Sequence, residues 1–418
     1  METVQLDRDV VQTTAPNGVV VLSERVASVR SVAVGIWVRT ASVHEPRHKM
    51  GVSHLLEHMV FKGTQRRTAQ EIALELESRG GSLDAYTSRD ATAYQARVLD
   101  ADLPRALDVL TDLVQRPVLR EGDLDLERNV ILEEISTIED TPDDLVFDLA
   151  AEALWPGHPY GYSILGTRET VATLSAEDLR ALHGTAYFPG NCVIAAAGNV
   201  EHSTLLELAA AQGWFDAPNG GGRAPAPPPA AAAVRGREVR HPKDTTQTHI
   251  VLATDTVPFA DPRKYHLLVL STVFGGGMSS RLFQRIREEL GLAYAVFAYT
   301  NFYSTVGVLG VYVGTQPRTA ARAAAAIQDE YAALARAGLT PVVLDQAKQQ
   351  TQGQLMLAVE SPTARMYRLA GFAVQGEPYR SLDETLAAIA ALTPQQVADV
   401  AAEFFAPERQ TVVWLGPN

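Results

Sequence analysis

The chain has 418 residues, 46% of them hydrophobic and 20% charged, which is ordinary globular usage at a length that predicts two or more domains. A formal net charge of −13 argues against nucleic acid and anionic membrane surfaces as partners and favours a basic or neutral peptide. No run of about 18 apolar residues occurs, so no membrane-spanning helix is expected, and the start Met1-Glu2-Thr3-Val4-Gln5-Leu6-Asp7 lacks the basic and apolar regions of a signal peptide, which leaves the cytoplasm as the expected compartment.

In chain order, Gly18-Val19-Val20-Val21-Leu22 and the run Val32 to Val38 read as strands, the second with Val32, Val34, Ile36 and Val38 on one face. His54-Leu55-Leu56-Glu57-His58 follows. Two histidines four residues apart project from one face of a helix and can share a metal ion; Glu57, three after His54, lies on the same side. A carboxylate there can take a proton from water while zinc supplies the Lewis acid and lowers the pKa of that water. The order H-x-x-E-H inverts the commoner H-E-x-x-H of zinc hydrolases. Taken alone, these five residues are equally compatible with an amphipathic helix carrying incidental histidines.

Thr68 to Arg79 reads as a helix opened by a capping box, Thr68 with Glu71, and closed by Gly80-Gly81. Ser82 to Thr87 and Thr92 to Val98 form a strand pair, and a helix from Pro104 to about Val114 turns Leu107, Leu110 and Val114 inward. Strands and helices are mixed, which gives an α+β fold rather than a doubly wound one. Leu124 to Asp140 is a further helix, with Leu124, Ile131, Ile135 and Ile138 at helical spacing. Glu127 and Glu134, seven apart, point the same way along the stripe flanked by Val130, Ile131 and Ile138, whereas Glu133 faces solvent. A glutamate on the inward side of a helix is costly unless it is paired or bound to a metal, which makes Glu134 the third ligand. Glu127 becomes the carboxylate that orients a ligand. His44 and His158 are loop histidines, and the lone Cys192, in an apolar run, is a buried structural thiol rather than a nucleophile.

Around Asp216 the composition changes. Ala217 to Gly222, then Ala224-Pro225-Ala226-Pro227-Pro228-Pro229 and four alanines, is a linker, which divides the chain into 1–216, a linker 217–233, and 234–418. The two halves repeat one pattern: Leu174 to Leu392, Pro189 to Pro407 and Gly198 to Gly416 each differ by 218, and both helices that follow begin with a capping pair, Ser175 with Asp178 and Thr393 with Gln396. Counting 218 on from His54 reaches Thr272, so only the first half carries the ligand set. The second half has its own dense stretch from Gly275-Gly276-Gly277 to Tyr294. No Lys-Ser/Thr pair follows the glycines, so a phosphate loop is a poor reading; Arg281 is structural.

H-L-L-E-H-M-V-F-K-G-T, followed by E-R-N-V-I-L-E-E-I, resembles the pitrilysin, insulinase and mitochondrial processing peptidase family of zinc peptidases, and most closely its processing-peptidase-like bacterial branch. In that family the distal glutamate lies 76 residues after the second histidine; here 134 − 58 = 76. The resemblance implies one zinc per chain on His54, His58 and Glu134, with Glu57 as general base and Glu127 near the metal. It implies two homologous α/β-sandwich-like halves forming one half of a clamshell dimer, with a chamber suited to short or unfolded polypeptides. The family's arginine and, seven residues later, tyrosine fall on Arg287 and Tyr294, which implies that they steady the oxyanion in trans across a homodimer. The family's edge segment falls on Leu83 to Thr87, where substrate adds as a strand and the backbone of Ala85 and Thr87 pairs with it. Asp84 stands where asparagine is usual and accepts but cannot donate. Two alternatives remain: a non-catalytic scaffold, and the active subunit of a heterodimer.

Overall fold

The computed structural model describes residues 1–216, 226, 228–229 and 231–417; of the expected linker, residues 217–225, 227 and 230 lie outside the described residues. The chain divides into two compact units that alternate along the sequence. One is Met1–Ile135, Ser163–Pro227 and Ala358–Ser381; the other is Ser136–Tyr162, Pro228–Leu357 and Leu382–Asn418. A division at residues 217–233 therefore does not coincide with the compact units.

In the first unit, β1 (Glu2–Asp7), β2 (Val10–Thr14), β3 (Val20–Arg25), β4 (Ser31–Val38), β5 (Ser82–Thr87), β6 (Thr92–Leu99) and β7 (Cys192–Gly198) form a sheet in the order β1-β2-β3-β7-β4-β6-β5. The pair β3/β7 is parallel and the others are antiparallel. The stretch after Met1 is thus one edge strand, and β5 is the other. Helices α1 (Val52–Val60), α2 (Ala69–Glu77), α3 (Leu103–Gln115) and α4 (Glu121–Asp140) follow the sequence-derived bounds closely. Val32, Val34, Ile36 and Val38 share one core with Leu55, Leu56 and Met59 of α1 and Leu107 and Leu110 of α3.

The other face of β4 is also buried, a feature that simple alternation does not predict. The helix Pro362–Val374 lies over β3, β4 and β7. Its Met366, Leu369 and Ala370 pack with Val10, Leu22, Ala33, Trp37, Val193, Ala195 and Ala197. Gly35 in β4 is required by this packing: a Cβ there would stand 2.7 Å from the Trp37 ring. With both faces covered, β4 reads as a nearly continuous apolar run.

In the second unit, β8 (Glu238–Pro242), β9 (Thr248–Thr256), β10 (Ala293–Phe302), β11 (Gly307–Thr315) and β12 (Thr411–Gly416) are ordered β10-β11-β9-β12-β8. Helix α5 (Pro142–Leu154) covers β9 and β12, and its Phe147 ring lies 5.3 Å from Tyr299 and 5.5 Å from Tyr312. Pro142–Leu154 and Pro362–Val374 are each 13 residues long with proline in the first turn, offset by 362 − 142 = 220. The two copies exchange equivalent helices: each gives one to the sheet of the other. The duplicated capping boxes at Ser175 and Thr393 are both formed, and each opens an 11-residue helix. Among the described residues, no helix is long and apolar enough to cross a membrane.

Leu369 is fully buried under a sheet whose strands lie more than 150 residues away in sequence. Leu369→Ala should lower stability by about 2–5 kcal/mol. A fragment ending at Asp216 should bind a hydrophobic dye and lack a cooperative thermal transition, because one sheet face is bare; cooperative melting of that fragment would contradict the exchange.

Candidate metal centre

Helix α1 buries eight of its nine residues. Its start is fixed by backbone geometry and by one carboxylate. Gly51 holds φ +89°, and a Cβ there would meet the Leu165 carbonyl oxygen at 2.4 Å. Glu45 accepts from the amides of Gly51 at 2.8 Å and Ser53 at 2.7 Å, satisfying donors that a helix start leaves without partners. Beyond its end, the Thr64 hydroxyl donates to Asp112 of α3 at 2.5 Å, and Arg67 pairs with the same carboxylate at 2.9 Å.

Within this frame the expected ligands converge. His54, His58 and Glu134 each offer one ligand atom, all within 4.8 Å of one another. Glu134 Oε2 lies 3.7 Å from His54 Nε2 and 3.8 Å from His58 Nε2, too far for hydrogen bonds. Two ligands on one tetrahedral zinc, at bonds of about 2.0–2.1 Å, stand roughly 3.4 Å apart, close to what is seen. Glu134 Oε2 is buried with no hydrogen-bond partner, a costly state that a cation would relieve. Burial, and then the neighbouring His58, push His54 down to about 4, so its ring is neutral and has a lone pair to offer near neutral pH. His58 Nδ1 lies 3.1 Å from Glu127 Oε2. A carboxylate accepts, so Nδ1 carries the proton and Nε2 turns its lone pair toward Glu134. The donor set fits a zinc ion.

Glu57 is buried beside this set, and burial pushes its carboxyl above the usual range. The Thr87 hydroxyl donates to Glu57 Oε2 at 2.6 Å and works in the opposite direction. Thr87 ends β5, the open edge of the sheet, with Asp84 exposed and Ala85 half-buried on the same strand. Glu133 is exposed, as its spacing predicts. Val130, which the spacing sets beside the inward stripe, is 48% exposed.

Arg287 and Tyr294 belong to the second unit. Tyr294 begins near the start of the edge strand β10 and is 79% exposed, with the Arg287 guanidinium 4.6 Å above its ring. Arg281 pairs with Glu330 at 2.7 Å, a structural contact. His158 bonds the Pro229 carbonyl and His44 the Ala41 amide, both in loops. Burial pushes the Cys192 thiol up to about 12, which excludes a nucleophile. Two contributors escape the sequence reading. Glu45 acts through backbone amides and leaves no side-chain pattern. Lys62 does leave one: His54, His58 and Lys62 are spaced by four, and its ammonium pairs with Glu127.

Residues 20–168 match the family described as Insulinase (Peptidase family M16), and residues 173–351 match the one described as Peptidase M16 inactive domain. An uncharacterized zinc protease of Bacillus subtilis is 38% identical over 94% of this chain and 95% of its own length. One of Streptomyces coelicolor is 37% identical over 97% of this chain and 89% of its own. The chain belongs to peptidase family M16. Two solved structures share the fold of this M16 chain. A peptidase M16 inactive domain from Pseudomonas fluorescens has a TM-score of 0.90 at 22% identity, covering 98% of each chain. A protease from Helicobacter pylori has a TM-score of 0.91 at 23% identity, covering 97% of this chain and 99% of its own.

In this M16 chain, burial pushes the Glu45 carboxyl up to about 7, against the bonds from Ser53 and Gly51. A carboxyl raised on folding takes up a proton, so its contribution to stability is fully present below about 4.5 and is lost as pH rises through about 7. The loss is on the order of 3 kcal/mol. Glu45→Gln should start less stable at about pH 5, having one acceptor oxygen for two amides, and its thermal midpoint should fall less than that of wild type by about pH 8. An unchanged pH slope would remove Glu45 from this role.

Proposed function

We propose that the chain is a zinc metalloendopeptidase that hydrolyses peptide bonds of short or unfolded polypeptides, working as a homodimer in the cytoplasm. One observation carries the reading: the partnerless Glu134 Oε2 stands 3.7 and 3.8 Å from two histidine Nε2 atoms, with Glu57 buried on the same helix as both histidines. Membership of M16 and relatives named zinc proteases support it.

His54, His58 and Glu134 would hold the metal. Zinc, when bound, supplies Lewis acidity that polarises a carbonyl and makes a water more acidic. Glu57 takes the proton of the attacking water on its carboxylate as the water oxygen bonds to the carbonyl carbon. The same carboxyl returns the proton to the amine nitrogen as the carbon–nitrogen bond breaks. Its burial suits both roles, because a desolvated carboxylate holds a proton more readily. Thr87 fixes one oxygen of that base. An extended substrate adds to the open edge of β5 through the backbone of Ala85 and Thr87, which requires a segment free of its own fold. The Asp84 carboxylate on that strand favours substrates with a donor or a positive charge opposite it. Arg287 and Tyr294, stacked on each other, donate to the oxyanion from the partner copy.

Wild type and Glu57→Gln should each bind one zinc per chain, with peptide cleavage reduced by about 10²–10⁴-fold in the variant. Zinc in both proteins with no cleavage by wild type would point to a missing partner subunit or an unsuitable peptide, and no zinc in either would favour a scaffold. Action in trans is tested by mixing Glu57→Gln with Tyr294→Phe. Random exchange of subunits makes half the dimers mixed, each with one intact site, so about a quarter of wild-type activity should return. No recovery after demonstrated exchange would place Tyr294 outside the facing site.

A further inference from the structure

Glu127 is 5% exposed, and each of its oxygens has one partner: Oε2 meets His58 Nδ1 at 3.1 Å, and Oε1 meets the ammonium of Lys62. A buried carboxylate without a compensating charge is strongly unfavourable, and Lys62 is the cation that the described residues place on it. Lys62 is itself tied down. Its amide donates to the Met59 carbonyl at 3.2 Å, and its carbonyl accepts from Arg120 at 3.4 Å. The turn that follows is fastened to Asp112 through Thr64.

We infer that Lys62 is a positioning residue for the metal centre, which holds Glu127 in place so that Glu127 in turn fixes the ring and tautomer of His58. The inference rests on the reading of His54, His58 and Glu134 as ligands. The physical chain is short. Remove the ammonium and Glu127 is left as a buried charge facing one imidazole N–H. It relieves that state by rotating toward water or by losing its acceptor role. Either change frees the His58 ring to turn or to move its proton to Nε2, the atom that must offer a lone pair. The ammonium of Lys62 pairs with Glu127, so its effect on the site passes through that carboxylate.

That dependence makes the inference testable by zinc affinity, measured by competition with a chromophoric chelator on the full-length protein. Lys62→Met should weaken zinc binding by about 10-fold or more, the range for outer partners of a ligating histidine. Lys62→Arg, which keeps the charge, should recover most of that loss. Glu127→Gln still offers His58 an amide oxygen and needs no cation. In that background Lys62→Met should therefore cost no further affinity. An equal loss in both backgrounds would show that Lys62 acts on the site by another route and overturn the inference, as would wild-type affinity in Lys62→Met. Should wild type bind no zinc, the ligand reading itself falls. The thermal midpoints of the metal-free variants separate an unfolded variant from one with a loosened site, and if Lys62→Met does not fold, Lys62→Gln, which also removes the charge, takes its place in both backgrounds.

Discussion

A nine-residue helix that buries eight of its residues has no freedom to adjust its side chains one at a time. The site depends on that confinement. His54 and His58 face each other with ring centroids 4.7 Å apart, and the Glu134 oxygen between them has no hydrogen-bond partner. Such an arrangement is unfavourable in itself and persists only because the surroundings determine it from several directions. Glu45 and Gly51 set where α1 begins. The turn after it is bound to Asp112 on α3. The core of β4 and α3 side chains sets its depth. The polar strain of the centre is thus balanced by apolar packing around it, and the donors are pre-arranged for a cation.

The carboxylates near this helix divide their roles by environment. Glu134 presents an unpartnered oxygen to both rings, Glu127 is paired on both oxygens, and Glu57 is steadied on one by Thr87. Only the first has the unsatisfied state a ligand needs. Thr87 also belongs to two features, because it both ends the open strand β5 and donates to the Glu57 carboxylate. The open edge of the sheet and the Glu57 carboxylate thus meet at one residue.

Much of this was legible in the sequence, and the reasons for the exceptions are physical. His54, Glu57, His58 and Glu134 could be read because helical spacing converts directly into facing side chains. Glu127 could be read because an inward carboxylate needs an explanation. The strands and helices of the first half were bounded by caps, glycines and apolar periodicity, and they form within a few residues of those marks. Glu45 could not be read, since its partners are backbone amides several residues away across a loop. The helix exchange could not be read either. A 218-residue repeat establishes that two copies exist, but periodicity carries no information about which sheet a helix will cover. The burial of Ala33 and Trp37 on the second face of β4 is the mark of that exchange, and it has meaning only once Met366 and Leu369 are seen against them.

The exchanged helix also sets an order of events. Every ligand of the proposed centre has been synthesised by residue 134, yet the helix that covers the sheet ends only at Val374 of 418 residues. Contacts this distant in sequence form late, after a large loss of chain entropy has been overcome. Synthesis therefore passes through a long interval in which the complete ligand motif exists on an unfinished domain. Completion of the first unit therefore waits for a helix that the second half of the sequence supplies.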